Sequence, residues 1–300
     1  MVAGHSGAGK SDFLATLVES LDIINFHPVE NSSDIVNPLP VALSAPTAAT
    51  ARMECKDVFG ARVLIHLTDT PGFIATANLN PVPAKTYSDM ILQYIEKQFA
   101  ATLANEIKVD RDPRTIDVNV HACLYFIHPD TALRESGLTE MDMHVLKALC
   151  KRVNVIPVIA HADSLTVTQH RSILQKLQDQ LANSKLGLYD LNDDEQDLNA
   201  QLPLFLVNSE HSPPGLSTRM GIERCGNIIL GRHYSFGFVE TLNPKHSQFA
   251  LLKECLLSSH LEDLKDATKD VMYENWRAEN LSAKLDNISG DSAQDMRSML

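Results

Sequence analysis

Eight residues near the amino end, Gly4-His5-Ser6-Gly7-Ala8-Gly9-Lys10-Ser11, restrict the fold more than any other stretch of the chain. They satisfy the pattern G-x-x-x-x-G-K-[ST] at every required position. The glycines let the backbone wrap with its N–H groups pointing inward, which makes an anion-binding nest at a helix N-terminus. Lys10 is then within reach of β and γ phosphates, and the Ser11 hydroxyl is placed to ligate Mg²⁺. A plain glycine-rich turn before a helix is the simpler alternative. Such a loop follows a buried strand, and only Met1-Val2-Ala3 precede it. That short start predicts a reduced central strand with unpaired ladder groups on its neighbours.

Composition narrows the classes. Three hundred residues suffice for one large domain or two small ones. A net charge of −12 argues against bulk nucleic-acid binding and against adhesion to anionic membranes. No apolar run reaches transmembrane length, and no secretory leader precedes the loop. Five scattered cysteines without a C-x-x-C pair read as reduced thiols of a cytosolic protein. The twelve histidines form no H-x-x-x-H pair, so a zinc site is not expected.

Strand and helix patterns alternate, as a parallel sheet with crossover helices requires. Residues 61–67, 120–127, 153–160 and 203–208 read as strands, the second and third as apolar runs buried on both faces. Helical spacing marks 13–21, 87–107, 139–151, 168–181 and a long amphipathic stretch from Phe249 to Trp276. The last is expected to bury Phe249, Leu252, Leu256, Leu261, Leu264 and Val271 on one face. Residues 31–50 read as a loop, and the acidic stretch 188–201 as a solvated loop rather than a calcium site, because EF-hand spacing is missing.

Two further motifs specify the nucleotide. Asp69-Thr70-Pro71-Gly72 follows a strand at the separation expected after a phosphate loop, where an acid holds Mg²⁺ through water. The Gly72 N–H is placed to contact a γ-phosphate. Ala160-His161-Ala162-Asp163 follows a buried strand, and a carboxylate there accepts guanine N1–H and N2–H, which adenine does not offer. His161 stands where a lysine usually covers the base; a solvent-facing loop histidine is the other reading.

Taken in order, the segments resemble the septin family. Cys123-Leu124-Tyr125-Phe126-Ile127-His128-Pro129 is similar to C-L-Y-F-I-S-P, and residues 153–166 are similar to V-N-I-I-P-V-I-A-K-A-D-T-L-T. Gly231-Arg232-His233-Tyr234-Ser235-Phe236-Gly237-Phe238-Val239-Glu240 resembles the septin unique element G-R-x-Y-P-W-G-x-V-E. Asp263 to Thr268 and Tyr273 to Glu279 resemble the closing D-L-K-D-x-T and Y-E-N-Y-R.

The resemblance implies an α/β fold, a three-layer Ras-like P-loop GTPase domain with a mostly parallel sheet. It divides the chain into a G domain over 1–242, with the unique element at about 203–242, a closing helix over 243–281 and a polar tail over 282–300. It implies binding of GTP or GDP with Mg²⁺ through Gly4, Gly7, Ala8, Gly9, Lys10, Ser11, Asp12, Gly72, His161, Asp163, Asn208 and Arg232, with Ser11 and Asp69 at the metal. Arg232 is expected on the guanine base, and Asn208 falls where septins carry glycine. The implied partners are other septins in hetero-oligomers or filaments of the cytoplasmic cytoskeleton, at a septum or cell cortex, without direct membrane binding.

Departures cluster at the nucleotide. Asp12 replaces a threonine, Ile74 and Ala75 replace glycine and aspartate, and the Mg²⁺-ligating threonine aligns with Pro46, near Thr47 and Thr50. Gln169 replaces a glutamate of the nucleotide-side interface, and no histidine follows the His128-Pro129 turn at the family's position. These residues predict nucleotide binding with slow or no hydrolysis. An active GTPase switch is the alternative. A phosphoryl-transfer kinase would leave Asp163 and G-R-x-Y unexplained. The basic segment the family carries before the first strand and the coiled coil after the closing helix have no counterpart in these residues, as expected of a truncated or degenerate member.

Overall fold

A computed structural model describes residues 1–27, 49–56, 60, 62–73, 84–108, 116–192, 198–209, 221–224, 227–235 and 237–282. Along the chain come β1 (Val2–Gly4), α1 (Lys10–Glu19), β2 (Ile23–His27), β3 (Ala49–Lys56), β4 (Arg62–Asp69), α2 (Ala84–Ile107) and β5 (Ala122–Ile127). Then follow α3 (Pro129–Leu133), α4 (Glu140–Leu149), β6 (Asn154–Ile159), α5 (Val167–Ser184), β7 (Leu204–Phe205), β8 (Gly221–Arg224), β9 (Asn227–Tyr234), β10 (Gly237–Glu240), α6 (Phe249–Glu254) and α7 (Leu261–Asp266).

The main sheet has the order β2-β3-β4-β1-β5-β6-β7. Its ladders are parallel from β4 through β7, and antiparallel at β2-β3 and β3-β4. Burial on both faces follows from side-chain alternation. On β5, Cys123, Tyr125 and Ile127 join a core with α2, α4 and α5, while Leu124 and Phe126 join a core with α1 and α6. β6 divides the same way, Val155 and Ile159 against Ile156 and Val158. Two helical layers therefore enclose one sheet, the three-layer arrangement expected.

The short β1 occupies the central position. Val2 is in register with Asp69 on one side and with Leu124 on the other. Pairing with β5 extends outward, because Leu124 N–H donates to the Met1 carbonyl at 3.0 Å and the Met1 amino group donates to the Ala122 carbonyl at 3.0 Å. The expected unpaired groups on β5 are met in this way.

Three expectations change. β2 and the start of β3 lie within or beside residues that read as loop or carried no strand signal. β7 is two residues long, although Leu206 N–H still donates to the Ile159 carbonyl at 2.8 Å. The closing helix does not keep one face: π-helical turns at Cys255–Ser259 and Ala267–Tyr273 add a residue to the turn and rotate the register. Phe249, Leu252 and Leu264 are buried as expected, Leu256 and Leu261 only partly. Val271 is 50% exposed, and Thr268, Tyr273 and Trp276 take the core positions instead. Phe99 of α2 packs against both aromatic rings, with centroids 5.7 Å away in each case.

Candidate functional site at the sheet's carboxyl edge

In an open parallel sheet, the crevice for a ligand lies beyond the carboxyl ends of the strands, where the strand order reverses. Here the reversal is at β1, between β4 and β5. The loop after β1 carries Lys10 and Ser11, and β4 ends on Asp69. His161 and Asp163 follow β6, and Asn208 follows β7. One edge thus gathers the phosphate loop, Asp69, the His161–Asp163 segment and Asn208.

The phosphate loop is anchored before it turns. Gly4 N–H donates to the Tyr87 hydroxyl at 2.8 Å, His5 N–H donates to the Phe126 carbonyl at 3.0 Å, and Ser6 N–H to the Phe73 carbonyl at 2.8 Å. Gly9 caps α1 in the left-handed region (φ 78°), and a side chain there would meet Asn208 Nδ2 at 2.8 Å and His161 Nε2 at 3.0 Å. Gly72 is hemmed in more tightly still: a Cβ would lie 2.5 Å from Ser6 Cα and 2.6 Å from Lys10 Nζ. Between these segments is a cavity of about 230 Å³, lined by Ser6, Gly7, Gly9, Lys10, Ser11 and Asp12 from the loop and by Thr70 and Gly72 beyond β4. Ala8 is buried in the core beneath it.

Electrostatics at this end favour an anion. Lys10 is buried, and its Nζ donates to the His5 carbonyl at 2.6 Å and the Gly4 carbonyl at 3.3 Å. Desolvation lowers its pKa to about 8, against the pull of the nearby Asp69 carboxylate. Phosphate oxygens would supply the negative charge that this cation lacks, beside the N-terminus of α1. Asp12 is solvent-exposed in the first turn of α1, on the rim of the cavity.

The two residues expected at the metal also meet. Ser11 Oγ donates to Asp69 Oδ2 at 2.5 Å, and Asp69 Oδ1 is buried without a hydrogen-bond partner. Burial raises the Asp69 pKa, opposed by the Ser11 hydrogen bond and by Lys10. A hydroxyl and a carboxylate with a spare oxygen are the hard donors that Mg²⁺ takes, so these residues fit the ion.

At the base end, the alternation of β9 puts Arg232 and Tyr234 on one face. Arg232 Nη1 donates to Asp163 Oδ2 at 3.0 Å, and the Tyr234 hydroxyl donates to the same oxygen. Arg232 Nη1 is also 3.2 Å from His161 Nδ1. His161 adopts a left-handed backbone (φ 55°) and points between Arg232 and Gly9, not into solvent. Asn208 Nδ2 donates to the Gly9 carbonyl at 2.9 Å, while its Oδ1 is buried and unpartnered.

Sequence reasoning passed over a second network beneath the loop. Asp142 of α4, fully buried, accepts from the Tyr125 hydroxyl at 2.6 Å, from Thr139 N–H at 2.9 Å and from the Thr139 hydroxyl at 2.7 Å. His5 Nε2 lies 2.7 Å from Asp142 Oδ1, the oxygen that also accepts from Tyr125, and His5 Nδ1 accepts from His128 N–H at 3.1 Å. Burial opposes the Asp142 charge, but hydrogen bonds from His5, Tyr125 and Thr139 outweigh it and hold the carboxyl below its usual range. Phosphate loop, β5 and α4 are thereby tied to one buried carboxylate. The T-x-x-D capping box was the only sequence signal of it. Tyr87 gave no local signal, since its partners are far along the chain, and Tyr234 stood in the G-R-x-Y motif without its contact to Asp163 being readable.

Gln169, at the family's glutamate position, is engaged in the capping box of α5 with Thr166, and His128 caps α3. Pro46, Thr47, Ile74, Ala75 and Phe236 lie outside the described residues, as does the tail beyond 282.

With this geometry in hand, known proteins supply the family. The septin family model matches residues 1–290. Septin homolog spn3 of Schizosaccharomyces pombe is 34% identical over 296 residues, covering 94% of this chain and 72% of that protein. Septin-12 of Rattus norvegicus is 34% identical over 286 residues, with 94% and 74% covered. Among solved structures, the septin GTPase domain from Chlamydomonas reinhardtii superposes with a TM-score of 0.65 at 20% identity, over 92% of this chain and 96% of that one. Cdc11 from Saccharomyces cerevisiae gives 0.53 at 24% identity, over 93% and 97%. Those two likenesses speak for the fold. Together with the family match and the relatives above 30% identity, they assign this chain to the septin family.

Proposed function

We propose that this septin binds GTP or GDP at the carboxyl edge of its sheet and assembles with other septins into hetero-oligomers or filaments, the nucleotide being mainly structural and its hydrolysis slow or nil. Residues 1–242 would form the G domain, with the unique element at about 203–242, and 243–281 the closing helix. The reading is supported most by one observation: Lys10, Asp69 and Asp163 lie where β1, β4 and β6 end at the same sheet edge, and Ser11 of α1 and Arg232 of β9 pair there with Asp69 and Asp163.

In this reading, Lys10 and the loop amides bind the phosphates, and Ser11 with Asp69 holds Mg²⁺, which would neutralise phosphate charge. Asp163, Arg232, His161 and Asn208 surround the base. Among the described helices none is long and apolar enough to cross a membrane.

Chromatography of nucleotide released from purified protein tests the core of this reading. Guanine nucleotide near one per chain is expected, and GTP supplied in single turnover should persist. An adenine nucleotide, or none, would refute the binding assignment. Cleavage at rates typical of an active GTPase would favour the switch instead. Electron microscopy with partner septins tests assembly.

A further inference from the structure

The base-reading carboxylate is not open. Asp163 has a side chain only 2% exposed, and one of its oxygens already accepts from two donors on β9, Arg232 Nη1 and the Tyr234 hydroxyl. Its other oxygen is buried and accepts from nothing. Guanine recognition by a carboxylate uses both oxygens side by side, one for N1–H and one for N2–H. The arrangement therefore satisfies half of the acceptor from within the chain and leaves the other half for a ligand.

His161 makes the arrangement possible. Arg232 Nη1 rests against His161 Nδ1 at 3.2 Å, a ring nitrogen that can accept. A lysine at this position would offer only a second cation and would push the guanidinium away from Asp163. The spacing in Arg232-His233-Tyr234 then delivers the second donor, because residues two apart on a strand share a face.

From this we infer that Arg232 and Tyr234 form a latch over the guanine subsite, with Tyr234 the residue that competes directly with the base for Asp163. The inference rests on the nucleotide-binding reading above and deepens it. A site that binds only when the latch is open has its affinity reduced by the open fraction. Arg232 retains a use after opening, as a cation free to lie against the base. Tyr234 has none, so its hydroxyl opposes binding without contributing to it.

Equilibrium titration with a fluorescent GDP, on wild type and on Tyr234→Phe, tests this. The substitution keeps the ring in its half-buried place and removes only the hydroxyl. Loss of one hydrogen bond that competes with the ligand should tighten GDP binding by roughly three- to tenfold. Wild-type binding that is unchanged or weakened by Tyr234→Phe overturns the latch and leaves the site assignment standing. Failure of both proteins to bind GDP overturns the site assignment and the latch with it. A second measurement needs no nucleotide: urea unfolding of Tyr234→Phe, Asp163→Asn and the double variant. Non-additive losses support the contact, and strict additivity overturns it.

Discussion

Lys10 is the strongest lever on this molecule, because the structure makes it a liability without ligand and an asset with one. Replacing it by methionine keeps a flexible apolar stem in the same space and removes the buried charge. In the nucleotide-free fold, desolvation takes the Lys10 pKa from 10.5 to about 8, which corresponds to roughly 3 kcal/mol against the charged form. The hydrogen bonds to the His5 and Gly4 carbonyls offset part of this, about 1–2 kcal/mol if charge-assisted. Lys10→Met should therefore stabilise the nucleotide-free protein at pH 7 by about 1–2 kcal/mol, read as a higher urea midpoint.

The pH dependence carries a sign that separates this cause from others. Between about 8 and 10.5 the folded chain has released the Lys10 proton and the unfolded chain still holds it, so the penalty fades and stability rises with pH. Cys123 acts in the opposite sense: burial pushes its thiol from 9.0 to about 11, so the unfolded chain ionises first and stability falls. Only the difference between wild type and Lys10→Met isolates Lys10. The advantage of the variant should shrink from pH 8 to pH 10. With GDP and Mg²⁺ at saturating concentration the ranking should invert, since wild type gains about 4 kcal/mol at a thousand times Kd. A variant less stable than wild type at pH 7 without nucleotide, with parallel pH curves, would refute the reasoning.

Two other consequences can be checked with the same instruments. Asp142→Asn places two N–H donors against Tyr125, Thr139 and His5 and should cost about 2–4 kcal/mol in urea unfolding. Because the folded Asp142 carboxyl is held below its usual range, its stabilisation is present above about pH 4 and is lost as pH falls further, so the wild-type advantage should fade towards pH 2–3. Asp69→Asn removes the carboxylate beside Ser11, so adding EDTA should weaken GDP binding in wild type and leave the variant's weaker binding unchanged.

What could be read from residues alone was whatever the chain encodes locally. β5 and β6 are buried on both faces and therefore nearly all apolar, a pattern visible without coordinates. β2, the antiparallel edge strand, has the mixed sequence I-I-N-F-H and no period to read, whereas β3 alternates strictly in A-T-A-R-M-E-C-K, with Met53 and Cys55 buried, a two-residue period that was legible and was passed over because the loop reading ran to residue 50. The closing helix was legible as a helix, but two π turns moved its face in a way no fixed period anticipates. At the site, contiguous motifs located Lys10, Asp69 and Asp163, whereas the contacts of Asp69 with Ser11 and of Asp163 with Arg232 span 58 and 69 residues of chain and need the fold. His5 shows the limit best. It occupies a free position of the loop pattern, yet it is fixed by Asp142 and His128, more than 120 residues away.

The distribution of unmet polar atoms gives a physical reason for a retained nucleotide. Among the described residues, three buried carboxylate or carboxamide oxygens lack a partner: Asp69 Oδ1, Asp163 Oδ1 and Asn208 Oδ1. All three follow or end strands at the edge that also holds the desolvated Lys10. Each such atom costs about 1–3 kcal/mol when left unsatisfied. Unmet nitrogens and a hydroxyl occur elsewhere too, at Arg52 Nε, His66 Nε2, Thr241 Oγ1 and His260 Nε2, but the three oxygens share one edge, where a single ligand would meet them. Two carboxylates and a carboxamide call for donors or a cation, and a buried ammonium calls for anions. A guanine nucleotide with its metal offers all of these in one molecule. Binding it would relieve several penalties at once, whereas cleaving and releasing it would restore them. A site with these unmet groups is stabilised by the ligand that fills it, and the Lys10→Met inversion described above is the measurement in which that stabilisation should appear.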